Sequence, residues 1–468
     1  MNHSALAPLA PLAAALLMAG CAVTSPPLPA EPAMPAAFAG SSEWQRLPAT
    51  GAAVPEAWWT LFHDPVLDGL QADLVVGNQN LAAALAQLAS ARAVLRASGS
   101  AIWPTLSLGG ATTRSASESN GRRTVSTSDA LTANAAWEID LWGRLAEAVK
   151  VAGASYRASQ ADLAALRLSA QATLTQTYFA LRTAEAQQAL LERTVAADRR
   201  ALELTQDRYA GGVVAQTDVL QARTQLRNVE SQLSEMRSQR AQLEHALAAQ
   251  LGKLPGQFRV PAAADAHLPE LPPVPALVPS TLLAQRPDLA AARERQRAAY
   301  AQIGVADAAF FPAVDLSASG GYRGSSWSHL VSAPNLIWSL GAAVTAPLFD
   351  GGQRRLASDQ ARASAEVATA NYRQAVLTAF QEVEDNLVQF AETGAEVALQ
   401  RDALEAAQRN LDIVMAQYRA GTVSYLNVSA AQSSLLSAEG NVLTARNRQL
   451  AAANLLLKNL GGRLPPAA

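Results

Sequence analysis

The stretch "QYRAGTVSYLNVSAAQ", residues 417–432, repeats the skeleton of "DRYAGGVVAQTDVLQA", residues 207–222. At a constant offset of 209, Tyr209, Gly212, Val214, Val219 and Ala222 recur as Tyr418, Gly421, Val423, Val428 and Ala431. Both copies sit in long Ala-rich tracts with no proline between Pro104 and Pro255, or between Pro347 and Pro465. Apolar residues recur every seventh position ahead of each copy, as Val195, Leu202 and Tyr209, and as Val397, Leu404, Leu411 and Tyr418. Beyond the glycines, Ala222, Leu226, Val229, Leu233 and Met236 step by fours and threes, as do their counterparts from Ala431. Such spacing is a coiled-coil seam on both sides of a turn. Each stretch therefore reads as the turn of a long antiparallel helical hairpin, with Gly212 or Gly421 supplying the positive φ that ends the incoming helix.

The repeat extends outward from these turns. "NLAAALAQ" from Asn80 answers "DLAAARER" from Asp288, and "AIWPTLSL" from Ala101 answers "AFFPAVDL" from Ala309. "DLWGR" (140–144) answers "LFDGGQR" (348–354). A period near 200 is too long for a solenoid unit and predicts an internal tandem duplication. The expected organisation is a signal segment 1–20, an extended segment 21–64, a first repeat 65–255, a Pro-rich linker 256–280 and a second repeat 281–462. In the first repeat helices are expected at about 66–100, 143–210 and 214–251, with strands at about 105–115 and 129–141. In the second, helices are expected at about 286–308, 351–419 and 424–460, with strands at about 313–323 and 336–348. The helix 144–209, with Gly153 its one interruption, would be roughly 100 Å long at 1.5 Å per residue, far beyond the globular norm.

The four strands follow from period-two alternation. Leu131, Ala133, Ala135, Trp137, Ile139 and Leu141 share one face, and so do Leu336, Trp338, Leu340, Ala342, Val344, Ala346 and Leu348. Val314, Leu316, Ala318 and Tyr322 oppose Asp315, Ser317, Ser319 and Arg323, and Leu106 to Thr113 shows the weakest alternation. Their length suits tilted membrane strands, and "RSASESNGRRTVSTSD" (114–129) and "RGSSWSHLVSAPN" (323–335) read as polar external connections. A small soluble sheet packed on helices fits the local pattern equally. Four strands cannot close a barrel and an open edge in lipid leaves backbone groups unsatisfied, so three chains giving twelve strands are the available remedy.

Composition narrows the function. Half of the 468 residues are hydrophobic but only 5% are aromatic, which favours close-packed helices. A net charge of -2 without basic runs gives no footprint for nucleic acid. The five histidines, His3, His63, His245, His267 and His329, are scattered, and no phosphate loop or paired-histidine zinc motif occurs, so no catalytic residue, metal site or cofactor is expected. Glu382, Glu384 and Asp385 in "QEVEDNL" read as a solvated helix face. Residues 5–17 form an apolar segment too short to span a bilayer, leading into "LMAGC" with the single cysteine, Cys21. This resembles a lipoprotein signal in which cleavage after Gly20 exposes Cys21 for lipid attachment, although "MNHS" lacks the usual basic residue. Ala22 stands where an inner-membrane retention Asp would be, which leaves the outer membrane as the destination.

Five motifs together resemble the outer-membrane efflux protein family, TolC-like, in its NodT-type lipoprotein branch. They are "WWTLFHDPVLDGL" (58–70), "WEIDLWGR" (137–144), "LLAQRPDLAAAR" (282–293), "PLFDGGQRR" (347–355) and the paired tips. The resemblance spans Cys21 to about Leu460. It implies a mainly α fold with a β-barrel part: a helical-hairpin tunnel plus four transmembrane strands per chain, twelve in a homotrimer. It also implies a periplasmic adaptor and an inner-membrane RND-type pump as partners. By the same resemblance the tips Gly212, Val213, Val214 and Gly421, Thr422, Val423 would meet the adaptor, and the second hairpin would narrow the periplasmic entrance. Where relatives place acidic rings and an Arg this chain has Asn427, Ala430 and Ser433, so a salt-bridged lock is not available there. Asp218 remains as a carboxylate on the first hairpin, and Tyr425 with Leu426 would narrow the passage sterically. Two alternatives stand beside this reading: a channel for type I protein secretion, and a pore-free structural lipoprotein with coiled-coil stalks.

Overall fold

A computed structural model of the chain describes residues 23–30, 55–261, 268–272 and 286–461. Cys21 and the signal segment 1–20, together with residues 22, 31–54, 262–267 and 273–285, lie outside the described residues. In chain order the elements are α1 (Pro65–Gly77), α2 (Gln79–Ser100), β1 (Thr105–Ser119), β2 (Arg122–Glu138), α3 (Arg144–Ala210) and α4 (Gln216–Gln250). There follow α5 (Pro287–Ala308), β3 (Ala313–Gly324), β4 (Leu336–Thr345), α6 (Gln353–Arg419) and α7 (Tyr425–Gly461). The chain forms two compact units, and each draws segments from both halves of the sequence. The duplication is thus a matter of chain order and the units a matter of packing.

The first unit contains the sheet, ordered β1-β2-β3-β4 and antiparallel throughout. Its register aligns the alternations seen in the sequence: Leu108 lies opposite Ala133, Ala133 opposite Gly320, and Gly320 opposite Trp338. Because side chains alternate faces along every strand, Leu106, Leu131, Trp137, Leu316, Leu336 and Leu340 all fall on one apolar face. Asn134, Glu138, Ser317, Ser319 and Ser339 fall on the other, where Ser319 and Ser339 join hydroxyls at 2.8 Å.

Residues 114–129 are largely strand and not the loop that their polarity suggests. Pairing continues through Ser115↔Ser126 and Glu118↔Arg123 to Ser119↔Arg122. The turn is only Asn120 and Gly121, with φ of 54° and 76°, the two positive values a two-residue type I′ hairpin turn requires. The Asn-Gly pair sets the turn, and the Ser/Thr-rich residues around it are strand. At the other end β4 stops at Thr345, short of Leu348.

The motifs "WEIDLWGR" after β2 and "PLFDGGQRR" after β4 are helix starts. Asp140 accepts from the N–H groups of Leu145 (3.1 Å) and Ala146 (2.8 Å) at the first turn of α3, and Arg144 grips Glu138 with two nitrogens. Trp142 donates its indole N–H to Pro312 (2.6 Å) and stacks on Phe311, while Val23 donates to Trp142. Asp350 repeats the device for α6, accepting from Gly352, Arg354 N–H and Arg354 Nε. The Arg354 guanidinium holds the Asp350 carboxyl below its usual range. Each carboxylate satisfies helix N–H groups that would otherwise lack partners. Gly153 does not interrupt α3, which runs unbroken for 67 residues.

The second unit holds the main core, where Trp58, Phe62, Leu67 and Leu74 pack against Tyr178, Phe179, Leu247, Leu251 and Leu456. "WWTLFHDPVLDGL" explains itself here. Asp64 caps α1 through the N–H groups of Val66 and Leu67, Pro65 occupies the first helical position, and the Tyr178 hydroxyl donates to Asp64 at 2.6 Å. Burial first, and then that hydrogen bond, push the Tyr178 hydroxyl well above its ordinary pKa. The helix expected at 66–100 is two helices. Asn78 adopts an extended conformation, ends α1, and accepts from Leu81 N–H at the start of α2 while its amide donates to Gln250. The linker is not a bare spacer either, because Phe258, Val260 and Leu268 are buried in the core and Val260 N–H donates to Glu244. Arg286 of "LLAQRPDLAAAR" clamps Asp288 and reaches Glu382 at 2.8 Å, so one member of the acidic run 382–385 is an ion-pair partner. Among the described residues no helix is long and apolar enough to cross a membrane.

Candidate functional site

The two tips close with one backbone geometry. At the first, Gly212 N–H donates to Tyr209 at 2.9 Å and Val213 N–H to Arg208 at 2.8 Å. At the second, Gly421 N–H donates to Tyr418 and Thr422 N–H to Gln417, both at 3.0 Å. These pairs of bonds, with φ of 71° at Gly212 and 77° at Gly421, are the Schellman ending of a helix. Gly212, Val213, Gly421 and Thr422 are exposed, whereas Val214 and Val423 are half-buried.

Side chains then join the second tip to the first. Arg208 donates through Nη1 to the Tyr418 carbonyl and through Nη2 to the Arg419 carbonyl, both at 3.0 Å, and its guanidinium lies 4.8 Å from the centre of the Tyr418 ring. Tyr418 Oη is 3.3 Å from Thr205 Oγ1. The Tyr418 ring meets Tyr425 edge-on at 5.8 Å, over buried Ala222 and Val428. A cation placed on the last carbonyls of α6 also complements the negative end of that helix.

This packing divides α7 into two faces. Tyr425, Val428 and Ala431 are buried against the first hairpin, whereas Leu426, Asn427, Ala430 and Ser433 are exposed. Tyr425, expected to narrow a passage, is 1% exposed and its ring is held inside the chain's own packing. It cannot project into an opening, and Leu426, 58% exposed, is the member of the pair that can. Asp218 is half-buried in the first turn of α4, where its N–H donates to Ala215. Tyr209 ends its seam exposed to 45%, while Tyr418 ends the other at 3%. Sequence reasoning missed Arg208 and Asp198. Arg208 stands at the position of Gln417 in the repeat, and that departure was the available signal.

Asp198, on α3 behind the tips, is 0% exposed, and neither of its carboxylate oxygens has a hydrogen-bond partner. Burial alone pushes its pKa up to about 6. Tyr425 is raised by burial and then by the nearby Asp198 charge.

Long helical hairpins joined in one chain to a four-stranded sheet with a single apolar face define a class of outer-membrane channel proteins. The profile described as "Outer membrane efflux protein" matches residues 72–253 and 278–462, and the chain belongs to that family. It is 30% identical over 417 residues to the "Probable efflux pump outer membrane protein TtgC" of Pseudomonas putida, covering 88% of this chain and 86% of that protein. It is also 30% identical over 465 residues to the "Pyoverdine export outer membrane protein OpmQ" of Pseudomonas aeruginosa, covering 96% of each. Among solved structures, the outer-membrane channel OprN superposes with a TM-score of 0.88 at 27% identity, covering 94% of this chain and 99% of that one. The Neisseria gonorrhoeae MtrE channel, solved in its open state, superposes at 0.83 with 26% identity, covering 94% and 98%. The protein is an outer-membrane efflux channel.

Proposed function

We propose that three copies of this chain form the outer-membrane conduit of a tripartite efflux pump, passing small molecules from an inner-membrane RND-type transporter and its periplasmic adaptor to the exterior. The observation that carries the reading is the sheet: four strands in the order β1-β2-β3-β4, one continuous apolar face, and two edge strands with no further strand beside them among the described residues. Such a sheet is stable in lipid only when its edges are paired, and copies of itself supply the pairing, twelve strands in three chains. The exposed tips at Gly212, Val213 and at Gly421, Thr422 are the adaptor contacts, and Leu426, Asn427, Ala430 and Ser433 border the entrance. With Asn427 and Ala430 in place of carboxylates, narrowing at that entrance is steric, through Leu426. Cys21 carries the lipid, as "LMAGC" suggests, and anchors the chain to the outer membrane.

The test is single-channel recording of the purified protein in a planar bilayer, together with its mass in detergent. The expected result is a trimer with discrete conductance that rises in Leu426→Ala. A monomer without conductance, wild type and variant alike, would overturn the proposal in favour of a pore-free role.

A further inference from the structure

We propose that Arg323, repeated in three copies, is the charge filter of the barrel's outer mouth, and that Asp315 forms an opposite belt at its inner end, so that the pore conducts asymmetrically. The inference rests on the proposed trimeric barrel, whose interior is the polar face of the sheet. The register fixes which side chains share that face, because residues alternate along each strand and paired residues lie on the same side.

Charge on the polar face is confined to its two ends. At the end where β2 leads into α3 and β3 follows α5, Asp315 lies directly opposite Glu138. Arg144 takes up the Glu138 carboxylate, with Nη2 at 2.6 Å. Asp315 is exposed and has no ion pair among the described residues, so its charge is uncompensated. Arg323 shares the face eight residues further along β3, about 26 Å away at 3.3 Å per residue. It lies opposite Ala130, beyond the last β3–β4 pair at Tyr322↔Leu336, and is likewise exposed and unpaired among the described residues. Arg122, on the same face near the hairpin turn, adds to the positive end. Between the two ends the face carries neutral residues such as Asn134, Ser317, Ser319 and Ser339, and no charge. The separation is several times the Debye length of about 8 Å at physiological ionic strength, so the two belts do not cancel.

Rings of fixed charge select ions in a pore: carboxylates draw cations and guanidiniums draw anions. When the helix side is positive, cations enter past Asp315 and anions past Arg323, each through the belt that attracts it, and the pore fills with carriers. With the sign reversed each enters through the belt that repels it, and the pore is depleted. For larger solutes the same order means that a cation outside meets the positive mouth first, whereas a departing anion is drawn to it. Arg114 supplies a control. It is equally exposed and unpaired among the described residues, but its position in β1 puts it on the apolar face with Thr112.

The test is planar-bilayer recording of the purified full-length protein under a potassium chloride gradient, in wild type and in Leu426→Ala so that narrowing at the entrance does not mask the barrel. Arg323→Gln should raise the cation-over-anion permeability ratio about twofold, and Asp315→Asn should lower it by a similar factor, the scale set by three charges within a screening length of the ion. Current should be larger with the helix side positive at 0.1 M salt, and the difference should vanish at 1 M, where the Debye length is about 3 Å. Arg114→Gln removes the same charge from the lipid side and should change neither reading. A conducting trimer whose reversal potential is unmoved by Arg323→Gln and Asp315→Asn, or is moved as far by Arg114→Gln, overturns this inference and leaves the barrel standing. A monomer without conductance overturns the barrel, and this inference with it.

Discussion

At the first tip Tyr209 is exposed and Val213 stands free, while at the second the matching Tyr418 is buried beneath Arg208 and the counterpart of exposed Gln216 is buried Tyr425. The backbones are the same, down to the pair of hydrogen bonds that ends each incoming helix. Duplication therefore copied the turn, and a few side chains then made the copies unequal. Arg208 faces the second tip where the repeat has Gln417, and Asp198 sits where the repeat has Ala407. The first hairpin contributes the Arg208 guanidinium, and the second contributes the Tyr418 ring and the two carbonyls that receive it. One hairpin is a support and the other is held against it.

The strongest way to break this comparison is to remove the buried charge. The folded chain holds the Asp198 proton up to about pH 6 and the unfolded chain only to 3.8, so between those values the folded state binds more protons. Stability in this region is accordingly highest below pH 3.8 and falls as pH rises through about 6. At neutral pH, keeping this carboxylate ionised inside the fold costs about 3 kcal/mol, since each tenfold change in proton affinity is worth roughly 1.4 kcal/mol. Asp198→Asn should recover most of that at pH 7.5 and nothing near pH 3.5. Hydrogen exchange of the amides in residues 190–198 and 425–436 reads it, as slowed exchange in the variant at the higher pH alone. Equal slowing at both values would mean that charge is not the cause.

Arg208 comes next. Its two hydrogen bonds to carbonyls and its contact with the Tyr418 ring are partly screened by solvent, so together they are worth about 2 kcal/mol. Arg208→Ala should speed exchange at residues 417–428 about 30-fold, at 1.4 kcal/mol per decade. Gln417→Ala, the same change in the other copy, removes an exposed side chain and should stay within about 0.5 kcal/mol of wild type. Similar effects from the two variants would erase the asymmetry.

The sequence revealed what repeats and what alternates. The 209-residue offset, the proline-free tracts and the period-two faces led to hairpins and to four strands whose apolar sides the register then aligned. Those signals are local and periodic. What stayed hidden depends on contacts distant in the chain, such as Tyr178 with Asp64 or Arg208 with Tyr418, separated by 114 and 210 residues. Tyr425 shows the limit most clearly. Its neighbour Leu426 is as apolar and as close to the tip, and only the packing on the first hairpin decides that one is buried and the other faces outward. Asn120-Gly121 shows the opposite case, a two-residue signal that was legible and was outweighed by the polar composition around it.

The smallest effect tests the part of the comparison that should not differ. An added Cβ at Gly212 or Gly421 meets no atom within 4 Å, so neither site is sterically crowded. What remains is the cost of holding a residue with a side chain at φ of 71° or 77°, about 1 kcal/mol relative to glycine. Gly212→Ala and Gly421→Ala should therefore destabilise their own turns equally, each raising exchange about fivefold at the amides just after the substitution. Neither should disturb the other tip. If Gly421→Ala costs markedly more, the Arg208 contact depends on the carbonyl positions that this turn sets at Tyr418 and Arg419, and the asymmetry reaches into the backbone itself.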